Sequence, residues 1–436
     1  MSLAAGFLVL LLTLATGSWP SARFGRHITG PSWIGRLSLA VALGAAITGL
    51  VQIVFSLLGF PAGIAVPVGL AALSLGAFGV APPSRVGATE DATERPGWPL
   101  TAWLAVVVTV STVVAVGLPF SGDGGKFWAP KSRDLAQHSA HEAPSLTDET
   151  QLGFHRGYPL LVPVLMAPAF GYSPADGSAG AKLVLQGLGL ALLGLITSML
   201  SAVGRHGRWL AVVVLAMPAL VLPEVRESLL AGGYADGADA LFLLLFVDLA
   251  DRLRRGAAEL SDGALAVLVG AALVSTKLEG GVEVAIVMIA WLLAGPHRGL
   301  PWLKLGCGVA LLATPTMWLA TLAAADPSMS DLSFLLQGEV LWGRSLPVLA
   351  ALAGLLIDTS ALGLAPLAIL VCALSHRPRW GFGALLVLGC LAFFVLVYLS
   401  TTMHVGRHLH TSLHRLALHW IPSFALIAAR SQTRGC

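Results

Sequence analysis

Charged side chains are scarce in this chain, and their scarcity excludes an ordinary water-soluble domain. Asp, Glu, Lys and Arg make up 11% of the 436 residues, whereas hydrophobic residues make up 56%. Soluble domains carry about 25% charged residues. Since helices are the usual way for a chain to cross a bilayer, the sequence predicts an all-α, polytopic membrane protein.

Other missing features exclude further classes. The net charge is only +3, so no nucleic-acid partner is expected. The chain has four cysteines, none in a loop that we place outside the cell, so no disulfide framework is predicted. No Cys/His spacing indicates a zinc site. No glycine-rich phosphate loop opens a helix after a strand, so no nucleotide site is indicated.

Long apolar runs are what the chain does have. A helix needs about 20 apolar residues to cross the hydrocarbon core. Segment 158–171 is too short and too rich in Pro to span, and we interpret it as a re-entrant or interfacial piece. About 13 transmembrane helices are predicted, near residues 3–18, 37–59, 62–81, 99–119, 183–203, 209–222, 238–251, 263–276, 281–295, 305–325, 345–375, 381–400 and 416–429.

The placement of basic residues predicts the orientation of these spans. With the N-terminus outside, 16 of the 26 Lys and Arg residues fall in inside loops and the other 10 fall outside. This bias agrees with the positive-inside rule and predicts a cytoplasmic C-terminus. The three leading spans and a linker, residues 1–97, are interpreted as an accessory unit. Residues 98–436 are interpreted as the catalytic unit.

Polar residues concentrate on the outside face, which predicts a site there. Charge near a bilayer is costly and tends to be functional. The alternative is that these segments are solvated connections between spans. The outside polar segments are 120–157, 223–237, 277–283, 326–344 and 401–415.

Asp123 is the candidate catalytic residue, since it is the first charge after an uncharged run. A partly desolvated carboxylate can take a proton from a hydroxyl. The alternative is a turn or helix-capping Asp within SGDGG. Lys126 and Lys131 follow it and can bind phosphate, or they form an interfacial face anchored by Trp128.

Two later segments carry further candidates. Lys277 and Glu279 stand at a Gly-containing break between apolar runs, and they form either a site or an ion pair that caps the turn. Arg407 and Arg415 lie among several His residues before the last span. This segment fits an anionic head-group site or one amphipathic helix with a wet face; a metal site formed by its His residues is a further alternative.

Three stretches taken together resemble a known family. They are an acid followed by KFWAPKSRDLA, then HRGYP followed by LLVP, then TKLEG, supported by the late HLHTSLHRLALHWIP. In this order they resemble the C superfamily of integral-membrane glycosyltransferases (GT-C). Within this superfamily, the chain resembles in particular those bacterial members that have an Asp after a span, a His-x-x-Tyr-Pro segment and a Thr-Lys-Asn-Glu-Gly break. It covers roughly residues 99–429.

The resemblance implies roles for individual residues and a GT-C-like fold with an outer-face loop site. Departures are Gly157 and His414, where acids are common, and Leu278, where Asn is common. No metal ligand is assigned, and a divalent-metal requirement stays open. By the resemblance, the catalytic acid of the family corresponds to Asp123, its Lys and Glu to Lys277 and Glu279, and its Ser-x-x-Arg to Ser412 and Arg415. Together with the basic and motif residues noted above, the candidate donor-phosphate and substrate-binding residues are Lys126, Lys131, Arg156, Tyr158, Lys277, Glu279, Arg407 and Arg415.

The expected function is transfer of a sugar from a polyprenyl-phosphate carrier to a cell-envelope glycan, lipid or protein. Nucleotide sugars are made in the cytoplasm, so a transferase on the outer face of a bacterial inner membrane needs a sugar already carried on a lipid. The alternatives are a transporter or flippase of a lipid-linked glycan, and a non-catalytic membrane partner in envelope assembly.

Overall fold

The fold is a bundle of helices, and no β-strand occurs among the residues that the structure describes. Besides Thr109, Val113, Gly117 and Phe120, the computed structural model describes residues 2–24, 26–29, 32–80, 123–148, 158–172, 177–203, 234–256, 260–294, 300–322, 337–357, 381–401 and 404–432. The predicted spans 99–119 and 209–222 lie outside the continuously described segments. The all-α prediction is confirmed for the described chain.

Fifteen helices make up the described segments, together with one π-helical segment, Gly124–Trp128, that runs directly into α5. Their bounds are α1 Ser2–Phe24, α2 Arg26–Thr29, α3 Trp33–Leu57, α4 Ala65–Val80, α5 Ala129–Gln137, α6 Pro144–Thr147, α7 Leu161–Tyr172, α8 Ser178–Ser201, α9 Asp236–Arg254, α10 Leu260–Val274, α11 Leu278–Ala294, α12 Leu300–Leu322, α13 Gly338–Ile357, α14 Phe382–Ser400 and α15 Val405–Gln432.

Membrane association is supported by the length and composition of these helices. In the described chain, four of them (α1, α3, α8 and α14) are long and apolar enough to cross a bilayer. Three shorter apolar helices correspond to α4, α7 and α10. The four long apolar helices overlap predicted spans, and the number of crossings stays a prediction.

Helix α9 is the centre of the bundle. Every residue from Asp236 to Asp251 is buried, and α9 packs against α8, α10, α11 and α15. A helix buried on all sides is normally apolar all round. The four acids that α9 carries inside the protein are therefore costly, and each requires partners. These acids are Asp236, Asp239, Asp248 and Asp251.

The leading helices share the core with the later part of the chain. Both α1 and α3 pack directly on α8. The backbone N–H of Gly180 donates to the Ser2 hydroxyl at 3.0 Å, and the Ser198 hydroxyl donates to the Thr29 carbonyl at 2.8 Å. Residues 2–80 therefore help to build the scaffold that holds the later helices.

The structure places helices in outside segments that were interpreted as loops. Segment 120–157 holds the π-helical segment, α5 and α6, and α13 begins within segment 326–344. Segment 401–415 was interpreted as part of a loop, but α15 already begins at Val405. Segment 277–283 contains the start of α11, so Glu279 lies on a helix. The break between α10 and α11 is tight, since a Cβ on Gly280 would lie 2.1 Å from the carbonyl oxygen of Leu273.

Candidate functional site

Four segments that are distant in sequence meet in one cluster of charged side chains. Nη2 of Arg415 donates to Oδ2 of Asp123 at 2.7 Å, and its Nε donates to Oδ2 of Asp236 at 2.7 Å. Nζ of Lys277 donates to Oδ1 of Asp236 at 2.8 Å and lies 3.6 Å from Oε1 of Glu279. We call these five residues the charged cluster.

Helix ends position the charged cluster. Asp123 immediately precedes the π-helical segment, Asp236 is the first residue of α9, and Lys277 lies between α10 and α11. Asp123 makes no side-chain capping bond to the helix that follows it. Its carboxylate instead accepts the hydrogen bond from Arg415, which disfavours the interpretation of Asp123 as a turn or capping residue.

Asp236 contacts more members of the polar site than any other described residue of the charged cluster, although it was not among the predicted site residues. It is fully buried and accepts bonds from Arg415 and Lys277, and its Oδ1 lies 3.1 Å from Nε2 of His419. Charge-assisted bonds of this kind are about twice as strong as neutral ones. Removal of this one carboxylate would therefore affect every other part of the cluster.

Electrostatics keeps the central members of the cluster ionised. Burial opposes the charge on Asp236, but Arg415 and Lys277 outweigh it and hold its pKa well below its usual range. Burial likewise opposes the charge on Lys277, yet Asp236 and then Glu279 raise the pKa of this ammonium group. The pKa of Arg415 is raised by Asp236 and Asp123 against its desolvation. Asp236 therefore forms true ion pairs with Arg415 and Lys277.

Aromatic side chains line the same region. The guanidinium carbon of Arg415 lies 3.7 Å from the centre of the Tyr234 ring, a cation–π contact. Tyr158 packs edge-on against the buried Trp128, with ring centres 5.7 Å apart. Its burial, followed by the charge on Glu279, raises the pKa of the Tyr158 phenol, so its hydroxyl stays protonated.

A second polar group lies deeper in the protein, next to the charged cluster. Nδ1 of His419 lies 2.9 Å from Oε1 of Glu283 and 2.9 Å from Oδ2 of Asp239. All three side chains are fully buried and come from α15, α11 and α9 respectively. We call these three residues the buried triad. It joins the charged cluster through the contact of His419 with Asp236.

The opposite end of the bundle carries a separate set of ion pairs. On α9, Asp248 pairs with Arg252 at 2.9 Å and with Arg430 of α15. Asp251 pairs with Arg254 at 2.9 Å and with Arg255. His27 of α2 lies 2.6 Å from Asp262 of α10. All of these basic residues come from segments that are predicted to lie inside. The charged cluster, in contrast, draws its residues from predicted outside segments.

The structure brings some predicted site residues together and separates others. Asp123, Lys277, Glu279 and Arg415 meet in the charged cluster, and Tyr158 packs nearby on Trp128. The remaining basic candidates have other positions: Lys126 is exposed just after Asp123, Lys131 is buried on α5, Arg407 is exposed on α15, and Arg156 lies outside the described residues.

Sequence analysis missed Asp236, Asp239, Glu283 and His419 as individual residues. Asp236 and Glu283 lie in outside polar segments that were predicted to form a site, but neither residue was named as a candidate. The spacing of Asp236 and Asp239 is the sequence signal that could have identified them. Two acids three residues apart at the start of an apolar run share one face of a helix.

Comparisons with known proteins add no family to this geometry. No family model matches the chain, and no curated protein or solved structure is significantly similar to it. The resemblance to GT-C enzymes therefore rests on the sequence motifs alone.

Proposed function

We propose that this protein is a membrane glycosyltransferase that transfers a sugar from a polyprenyl-phosphate carrier to a cell-envelope acceptor. The transfer would take place at the outer face of a bacterial plasma membrane. The observation that carries the proposal is the meeting of Asp123, Arg415 and Lys277 around Asp236 at one end of the bundle. These are the acid and the cations that such a transfer requires.

Asp123 would act as the general base. Its side chain is 30% exposed, so an acceptor hydroxyl can reach it from solvent. Arg415 binds only Oδ2 among its described contacts, which leaves Oδ1 for the acceptor proton. A positioned carboxylate of this kind contributes roughly 10²–10⁴ to the rate.

Arg415 would hold both the base and the donor. A guanidinium group has five N–H donors, and the described contacts of Arg415 use two of them, which leaves about three for a phosphate. Arg is suited to phosphate because its planar fork binds two oxygens at once. Lys126 is exposed three residues after Asp123 and would add positive charge near this carboxylate.

The test is direct transfer by purified protein in lipid nanodiscs. Polyprenyl-monophosphate hexose and pentose donors with radioactive sugars would be compared with the matching nucleotide sugars. We expect label to move from one of the lipid donors and not from a nucleotide sugar, and Asp123→Asn to abolish most of this transfer. Robust transfer from a nucleotide sugar without a lipid intermediate would reject the proposed donor class.

A transporter of lipid-linked glycans is the second candidate, and the buried triad is the observation that favours it. Buried acids and His residues in membrane proteins frequently relay protons in transporters. Proteoliposomes with a fluorescent polyprenyl-linked sugar would decide between the candidates. Movement of the lipid across the bilayer that depends on a pH gradient and survives Asp123→Asn favours transport over transfer.

A further inference from the structure

Carboxylates outnumber cations in the buried triad and the charged cluster that the structure describes. Together the two groups contain five carboxylates against two permanent cations and one imidazole. Even a protonated imidazole leaves this set with an excess of negative charge. An uncompensated buried ion costs several kcal/mol, so a further cation or proton is needed.

Two oxygen atoms of the triad have no hydrogen-bond partner among the residues that the structure describes. They are Oδ1 of Asp239 and Oε2 of Glu283, although both side chains are fully buried. Buried polar atoms are nearly always satisfied in proteins, and exceptions indicate a missing partner such as an ion. Oδ2 of Asp239 and Oε1 of Glu283 each lie 2.9 Å from Nδ1 of His419, so one position between the three side chains is within reach of all of them.

The tautomer of His419 matters for what that position holds. Nε2 of His419 lies 3.1 Å from Oδ1 of Asp236, so this carboxylate can hold a proton on Nε2. In that tautomer Nδ1 carries a lone pair 2.9 Å from two carboxylate oxygens, and a cation between the three atoms would offset their repulsion. A metal-bound His usually donates its other N–H to a carboxylate in this way.

We infer that Asp239, Glu283 and His419 bind one divalent metal ion, and that Asp236 orients the His419 ring through its contact with Nε2. The ligating atoms of the three side chains lie within 4.8 Å of one another. In an octahedral site with bonds of about 2.1 Å, neighbouring ligands are about 3.0 Å apart, whereas a tetrahedral site needs about 3.4 Å. The two N–O separations of 2.9 Å therefore fit a six-coordinate ion.

The ligand chemistry selects the class of metal. Two carboxylates with one imidazole suit Mn²⁺, since carboxylates favour hard ions and imidazole favours transition metals. The ion would join α9, α11 and α15 and add positive charge behind the charged cluster. It would act as a structural and electrostatic support for Asp236, so the inference does not depend on sugar transfer.

Metal binding by untagged protein in detergent tests the inference. After chelation and dialysis against Mn²⁺, we expect about one bound ion per chain by elemental analysis, as for a single closed site. His419→Gln and Glu283→Gln should lose this ion. The matched controls are His410→Gln on the same helix and Glu142→Gln, since both of these residues are exposed. Both controls should bind like the wild type.

Pulsed electron paramagnetic resonance on the Mn²⁺ form of the wild type supplies a readout that does not depend on folding of the variants. Coupling to an imidazole nitrogen is expected because Nδ1 of His419 would be a ligand. Asp236→Asn should weaken Mn²⁺ binding by about 10- to 100-fold, which is the usual effect of removing a carboxylate that hydrogen-bonds to a metal ligand. Substoichiometric binding, or a bound ion without nitrogen coupling, would overturn the inference and assign the triad to proton storage.

Discussion

Asp236→Asn tests whether the charged cluster is an ion-pair network that stabilises the fold. The substitution keeps the shape of the side chain and removes its charge. Lys277 then loses its 2.8 Å partner and, among the described residues, retains Glu279 at 3.6 Å, while Arg415 retains Asp123. An amide can still accept one bond, but its NH₂ group faces donors rather than acceptors.

The expected loss is large because Asp236 is fully buried. Removing one partner from a buried ion pair costs about 3–5 kcal/mol, since the other charge is left without compensation. Asp134→Asn is the matched control. Asp134 accepts a 2.8 Å bond from the backbone N–H of Ser145, and an Asn there can still accept it, so we expect a loss of about 1 kcal/mol.

The free energy of unfolding would be measured in bicelles by steric trapping for the wild type and both variants. A second step adds Lys277→Met to Asp236→Asn, which removes the cation left unpaired. The double variant should recover part of the loss, with a coupling of about 0.5–3 kcal/mol for residues in contact. Equal losses for Asp236→Asn and Asp134→Asn, with no coupling to Lys277, would refute the network.

Three further predictions concern activity and orientation. Asp123→Asn should lower turnover by roughly 10²–10⁴ with unchanged expression, and near-normal turnover would return Asp123 to a structural role. Arg415→Lys should raise the apparent KM for the lipid donor more than that for the acceptor, because one ammonium group cannot replace the guanidinium fork; an unaltered donor KM would contradict this. In a cysteine-free background, an impermeant reagent should label Glu142→Cys but not Ser431→Cys in intact cells, and the reverse pattern would invert the topology.

The parts of the site that sequence analysis identified are those that interrupt apolar runs. Asp123 and Lys277 were conspicuous because charge beside a span is costly. Choosing between Arg407 and Arg415 was harder. Eight residues on a helix leave the two side chains about 80° apart, and only Arg415 faces α9.

The parts that sequence analysis missed depend on the long-range arrangement of helices. In the sequence, Asp236 and Asp239 resemble the polar start of a short span. Their role becomes visible only in the structure, where α15 packs beside α9 and brings Arg415 and His419 to them. Periodicity offered one clue, since Ser412, Arg415 and His419 share a helical face through spacings of three and four. No local pattern showed that Glu283 would meet this face.

The ion pairs between α9 and α15 have a consequence for how the protein can move. The two helices run parallel and are joined by Asp236 and Arg415 at one end and by Asp248 and Arg430 at the other, about 18 Å apart along α9. A slide by one helical turn, about 5.4 Å, would break both links at once. The two helices are thus fixed in register and move as one body. Movement between helices of the bundle therefore has to come from the helices packed around this pair.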